Sequence, residues 1–215
     1  MHSKTKTVLV VCYGNIHRSV IAQICLNREL KKLNLDKEIV CVSRGLQGTC
    51  GTSLPTGKNL RDYPREWRAA APILKKLNIN IPKNQQATPL DATIIREATV
   101  VLAMDRGVLI DHPTAEGKAT SLIKQLSECG YKTRLFRELE GKAEDVPDCG
   151  EQSDRKLHER TINLIDRIAR QRIHTLISLT KLFGGSEQLF LRVRFSPKEG
   201  VPPESWGWCD LSIEP

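Results

Sequence analysis

A chain of 215 residues that is 40% apolar and only 5% aromatic has room for one globular domain and an added element. Seven cysteines, odd in number and without any C-x2-C pair, exclude a disulfide framework and leave no expectation of a structural zinc site; reduced thiols in a cytoplasmic compartment are expected instead. A net charge of +8 suits an anionic substrate or acidic partner, but the basic residues are scattered without interleaved aromatics, which excludes a specific nucleic-acid site.

In chain order, residues 7–21 read TVLVVCYGNIHRSVI. An apolar run ends at Cys12, a turn containing Gly14 and Asn15 follows, and Arg18-Ser19 opens a helix to about residue 33. The run itself is far too short for a signal-peptide core or a membrane span. On the helix, Ala22, Leu26, Leu30 and Leu33 form one apolar stripe, as a helix lying on a sheet needs. Residues 39–43 (IVCVS) are a second buried strand, followed by a Gly/Ser/Thr-rich loop over 44–57. Helices are expected over 65–77 and after Pro89, then a third strand over 99–104 (TVVLAM), with Asp105 capping what comes next. A helix over 118–128 and a fourth strand over 133–136 (TRLF) precede an irregular stretch to Gly150. Strands alternating with helices predict an α/β fold, a central four-stranded parallel sheet with helices on both faces. Ligands then bind at the carboxyl ends of the strands, where Cys12 lies.

Cys12, with Arg18 six positions on and Ser19 beside it, sits where a curled loop meets a helix N-terminus. Loop amides and the helix dipole favour a dianion, and an arginine grips two of its oxygens in a bidentate fork. A thiol in such a nest loses its proton more readily than a free one. The pattern therefore places a sulfur nucleophile under a phosphoryl group. A second element, Asp145-Val146-Pro147-Asp148, stands just before the last long helix. An Asp there caps the helix, or supplies a proton to the leaving oxygen and later activates water.

CYGNIHRS resembles the active-site loop of the low-molecular-weight protein tyrosine phosphatases, C-x-G-N-x-C-R-S close to the N-terminus. The resemblance covers about residues 6–179 and is strongest at the two loops. It implies a phosphatase acting through a phosphocysteine intermediate, with Cys12 as nucleophile and no cofactor or metal. Arg18 and the amides of Tyr13, Gly14, Asn15, Ile16 and His17 would bind phosphate, with Ser19 stabilising the thiolate. The family's V/I-P-D-P-aromatic loop maps onto VPDCG, which makes Asp148 the general acid and Asp145 the weaker candidate. The bracing Asn and Ser of the family carry over onto Asn15 and Ser43. LAMD, residues 102–105, also looks like the family's third strand.

Several positions depart from that pattern. His17 replaces a second loop cysteine, so reversible pairing with Cys12 under oxidation is not expected, and a solvent-facing side chain is. Cys149-Gly150 replaces the aromatic after the acid, leaving Tyr13 as the nearest candidate wall for an aromatic substrate. Ile16 keeps the apolar residue of tyrosine-directed members, where relatives acting on phosphoarginine carry Thr.

Beyond residue 153 a helix is expected to about residue 183, stopped by Gly184-Gly185, and alternation over 189–195 predicts a strand. The expected division is a phosphatase-like domain, 1–183, and a C-terminal extension, 184–215, forming an edge strand or mobile tail. The reading is a phosphatase for protein phosphotyrosine, or a small aryl phosphate, in the cytoplasm, with no membrane span. The oligomeric state is not legible. The rivals are an arsenate reductase-like enzyme, which lacks relay cysteines over 78–100, and a phosphoprotein-binding module that has lost turnover.

Overall fold

The structure is a computed structural model that describes residues 5–49, 52–110, 112–113, 119–122, 132–150 and 153–184. Its first strand, β1 (Lys6–Cys12), carries alternate residues into two separate cores. Val8, Val10 and Cys12 join one, and Leu9 and Val11 the other. A strand buried on both faces reads as a continuous apolar run, which is what VLVVC is.

The helix α1 (Arg18–Lys32) returns over the first face, and β2 (Ile39–Gly45) pairs with β1 in parallel along its whole length. Next come α2 (Pro64–Lys76), α3 (Ala92–Glu97) and β3 (Ala98–Ala103), which lies parallel to β1 on its other side. Two-residue strands β4 (His112–Pro113) and β5 (Ala119–Thr120) form a small antiparallel pair. The edge strand β6 (Thr133–Leu135) runs parallel to β3. The main sheet therefore has the order β2-β1-β3-β6, all parallel. The final helix α4 (Arg155–Gly184), bent at Arg172, packs beside α1 on the first face with α2 outside it; α3 and Leu122 cover the second.

The expected α/β class, four parallel strands and two covered faces are all present. Three local expectations change. β2 runs two residues further, to Gly45, because Gly45 donates its N–H to Thr88 O at 2.8 Å and so stays in register with the loop beyond. Leu33 is exposed rather than part of the α1 stripe, since it is the residue that ends the helix. Ala119–Thr120 are strand, not helix, and residues 123–128 of the helix expected there lie outside the described residues. The strand expected over 189–195, with the whole segment 185–215, also lies outside them. Among the described residues no helix is long and apolar enough to cross a membrane.

Candidate active site

β1 delivers Cys12 to the carboxyl end of the sheet in the phase of Val8 and Val10, buried against α1. The chain then curls through residues 13–17. Asn15 adopts a left-handed backbone (φ 55°), a conformation that Asn tolerates better than other side-chain-bearing residues. That twist turns the Asn15 N–H toward Cys12 Sγ, which accepts it at 3.2 Å. The turn is fixed from outside: Thr88 N–H donates to Asn15 Oδ1 at 2.9 Å, which orients the amide so that Nδ2 donates to Ser19 Oγ at 3.0 Å. Ser19 Oγ, which accepts that bond, lies 3.0 Å from Cys12 Sγ and donates its proton to it once the sulfur is a thiolate. A relay Thr88–Asn15–Ser19–Cys12 thus aims two donors at the sulfur.

Gly45 makes that curl possible. A Cβ there would stand 3.0 Å from Asn15 Cβ, from the Gly14 carbonyl carbon and from Tyr13 O. Helix α1 begins at Arg18 with no side-chain cap and no acidic residue in its first turn, so its positive end remains available to an anion.

Arg18 is buried, and both terminal nitrogens of its guanidinium are engaged. Nη1 pairs with Asp105 and donates to Val146 O at 3.2 Å, while Nη2 pairs with Asp148 Oδ2 at 2.9 Å. Burial opposes its charge, but the Cys12 sulfur, Asp105 and Asp148 more than offset that and raise its pKa. Asp105 is itself held by the Val108 N–H at 3.0 Å. The loop bearing Asp148 is pinned to the sheet by Val146 N–H to Met104 O at 2.8 Å, and Asp148 Oδ1 accepts from Gly150 N–H at 3.0 Å. The Asp148 side chain is 65% exposed, against 15% for Asp105. Asp105 is the fixed partner and Asp148 the one free to turn.

Cys12, Asn15, Arg18, Ser19 and Asp148 therefore come together as a sulfur, its donors, a guanidinium and a carboxylate. Asp145 does not join them: its Oδ1 accepts from Arg106 N–H at 2.9 Å, a loop-bracing contact. Ser43 is buried but its hydroxyl finds no hydrogen-bond partner, so it does not brace the loop; Gly45 and Thr88 do that instead. Tyr13 is half-buried against the core that contains Leu9 and Val11, and Ile16 packs against the opposite core.

His17 differs most from expectation. It is buried, not solvent-facing, because its ring lies against Cys149 and against His158 of α4. Burial first, then His158 and Arg18, lowers its pKa to about 3, so the ring is neutral and adds no charge for an anion. Three participants went unforeseen as site residues: Asp105, Thr88 and His158. Asp105 alone left a signal, as the last residue of LAMD. Thr88 acts through its backbone, and the heptad-like spacing that buries His158 marks core, not contact.

The chain matches the model of the low molecular weight phosphotyrosine protein phosphatase family over residues 7–181. No curated protein sequence matches it. Among solved structures, the Wzb protein of Vibrio vulnificus, bound to benzylphosphonate, is 22% identical, with a TM-score of 0.56 over 80% of this chain and 99% of that one. A low molecular weight phosphotyrosine phosphatase from Vibrio cholerae O395 is 21% identical, with a TM-score of 0.58 over 80% and 97%. The YwlE arginine phosphatase of Geobacillus stearothermophilus is 20% identical, with a TM-score of 0.57 over 80% and 94%. At these identities the likeness to solved structures speaks for the fold alone.

Proposed function

The chain belongs to the low molecular weight phosphotyrosine protein phosphatase family and is a cysteine-dependent phosphatase, and from that premise we propose that it hydrolyses protein phosphotyrosine through a phosphocysteine intermediate. The observation that carries this reading is that Arg18, within electrostatic reach of the Cys12 sulfur and its donors, holds the exposed Asp148 carboxylate.

In the proposed cycle the phosphoryl dianion enters the loop and takes the Arg18 Nη2 position held by Asp148. Loop amides and the N-terminus of α1 bind its equatorial oxygens. Cys12 thiolate attacks phosphorus; the P–S bond forms as the P–O ester bond breaks. Asp148, turned out toward the leaving group and carrying the proton that the Cys12 thiol gives up on becoming the thiolate, gives that proton to the leaving oxygen. The resulting carboxylate then takes a proton from water, whose oxygen attacks phosphorus. The P–S bond breaks, inorganic phosphate leaves, and thiolate and acid are restored. Asp105 stays beneath Arg18 throughout and keeps the guanidinium in place.

Phosphotyrosine is favoured over phosphoarginine by the apolar Ile16 in the loop, with half-buried Tyr13 as the available aromatic surface. Residues 1–183 are proposed as the catalytic domain and 184–215 as an extension. A cytoplasmic setting fits the four cysteines of the described residues, all free thiols.

The test is hydrolysis of a small aryl phosphate, and of phosphotyrosine, phosphoserine and phosphoarginine peptides, by the intact chain, Cys12→Ser, Asp148→Ala and a chain ending at residue 184. Aryl phosphate and phosphotyrosine turnover that Cys12→Ser abolishes and the truncation preserves is expected. Preference for phosphoarginine would overturn the substrate class. Vanadate binding without turnover would overturn the enzyme in favour of a phosphoprotein-binding module.

A further inference from the structure

Three metal-ligating side chains from three segments meet beside the phosphate loop and take no part in the proposed chemistry. His17 ends the loop, Cys149 directly follows Asp148, and His158 lies in the first turn of α4; all three are buried. They include the two positions where the loops depart from the family pattern, so the two departures touch each other.

The donor atoms lie within 4.8 Å of one another. His17 Nε2 is 3.2 Å from His158 Nδ1 and 3.6 Å from Cys149 Sγ. Tetrahedral zinc, with Zn–N of about 2.05 Å and Zn–S of about 2.3 Å, sets two nitrogen ligands about 3.3 Å apart and a nitrogen and a sulfur about 3.6 Å apart. The His17–His158 edge already has that length; Cys149 Sγ lies 3.4 Å from His17 Nδ1 and 3.6 Å from Nε2, nearly equidistant from both, so the imidazole must turn to aim one lone pair at an ion shared with the sulfur. One sulfur and two imidazoles form a donor set suited to zinc and unsuited to magnesium or calcium. The elements that carry the donors are stiff: α4 is 30 residues long, and Thr161, one turn after His158, donates to Pro147 O at 3.3 Å, anchoring the backbone next to Cys149.

We propose that His17, Cys149 and His158 bind one zinc(II) ion that ties the phosphate loop and the acid loop to α4. On ligation the Cys149 thiol proton leaves to solvent, the S–H bond being replaced by a Zn–S bond, and both imidazoles bind through neutral nitrogens. Water fills the fourth position. The ligands lie 132 and 141 positions apart along the chain, counted from His17. Exclusion of zinc by the lack of a C-x2-C pair therefore does not reach them. The site is separate from the phosphoryl chemistry and does not rest on the phosphotyrosine reading.

The test is titration of the full chain with cobalt(II) under a phosphine reductant, followed by zinc(II) competition. One equivalent of cobalt should give the intense visible bands of a tetrahedral site and a thiolate-to-cobalt charge-transfer band. One equivalent of zinc should remove both, and zinc should raise the Tm. Cys12→Ser should keep both bands. Cys149→Ser, checked for folding by circular dichroism, should lose the charge-transfer band and bind zinc at least about 100-fold more weakly. His158→Cys should restore a tetrahedral spectrum that His158→Ala lacks. The absence of a tetrahedral spectrum from the intact chain at stoichiometric cobalt would overturn the site and leave a hydrogen-bonded trio. So would a charge-transfer band that survives in Cys149→Ser or vanishes in Cys12→Ser.

Discussion

Asp148 Oδ2 rests 2.9 Å from Arg18 Nη2, so the proposed general acid sits on the guanidinium proposed to grip the phosphate. Arg18 cannot move aside to separate the two roles, because Asp105 and Val146 O hold its other nitrogen. Asp148 can, because its side chain is mostly exposed, although the backbone on both sides of it is held, by Met104 O and Thr161 before it and by buried Cys149 after it. An arriving dianion displaces the carboxylate and pushes it toward the side where the leaving oxygen lies. Substrate binding and placement of the acid become one event.

Asp148→Ala should therefore act in opposite directions on turnover and on anion binding. Turnover should fall about 10²–10⁴-fold for poor leaving groups and least for those that depart without a proton. Inorganic phosphate or vanadate should bind about tenfold more tightly, since a competing charged hydrogen bond of about 1.5 kcal/mol is gone. Kinetics over a series of aryl phosphates, with inhibition constants, check both. Equal losses across leaving groups, or weaker anion binding, would refute the shared position.

The relay from Thr88 through Asn15 and Ser19 to Cys12 makes a second prediction. Ser19→Ala removes a donor to the sulfur and should slow turnover about 10–100-fold. Asn15→Gly keeps the left-handed backbone but loses both side-chain hydrogen bonds, and should cost a similar factor. Because both changes break one chain of contacts, the double variant should cost little more than the larger single one. Multiplying effects in the double-mutant cycle would show that the two residues act separately.

How legible the site was in advance depended on where its parts are encoded. CYGNIHRS spelled out the sulfur, the turn and the arginine because all lie within eight residues, whereas the unbroken apolar run VLVVC marks a buried strand without saying which face Cys12 takes. VPDC put a carboxylate on the loop that lies against Arg18. The surroundings were hidden for physical reasons. Thr88 contributes a backbone N–H, which no residue type reveals. Asp105 read as a helix cap and is one, through Val108, yet its second oxygen serves Arg18. The resemblance implies Ser43 as a brace, but its hydroxyl has no partner, and the strand end meets the loop through the missing side chain of Gly45 two residues on. His17 looked exposed because loop residues usually are, and only the passage of α4 behind the loop buries it.

Gly45→Ala tests that last contact between β2 and the loop. Its methyl would meet Asn15 Cβ, the Gly14 carbonyl carbon and Tyr13 O at 3.0 Å each, and two of these are backbone atoms that cannot rotate away. Overpacking of this kind costs about 1–3 kcal/mol. The strain falls on the curl that presents amides to the anion, so phosphate affinity should drop along with stability. Chemical denaturation and phosphate titration of the same variant check the pair. Lost stability with unchanged phosphate affinity would mean that the loop adapts.

Acid sensitivity should centre in part on Glu140, which ties the segment after β6 to α4. Its Oε1 accepts from Arg137 Nε at 2.9 Å and its Oε2 pairs with Arg167 Nη1 at 2.9 Å. Burial raises its pKa, but the hydrogen bonds from Arg137 and Arg167 outweigh burial and leave it below the ordinary carboxylate value. A carboxylate whose folded pKa is depressed adds stability that is complete above the unfolded value, about 4.3, and is lost as pH falls through the folded value. Glu140→Gln should therefore lower stability by about 1–3 kcal/mol at pH 7. It should also flatten the decline on acidification, so that variant and parent converge once the parent's Glu140 is protonated. Urea midpoints measured from neutral pH down to strong acid check this, and curves that stay parallel throughout would assign the acid sensitivity to other groups.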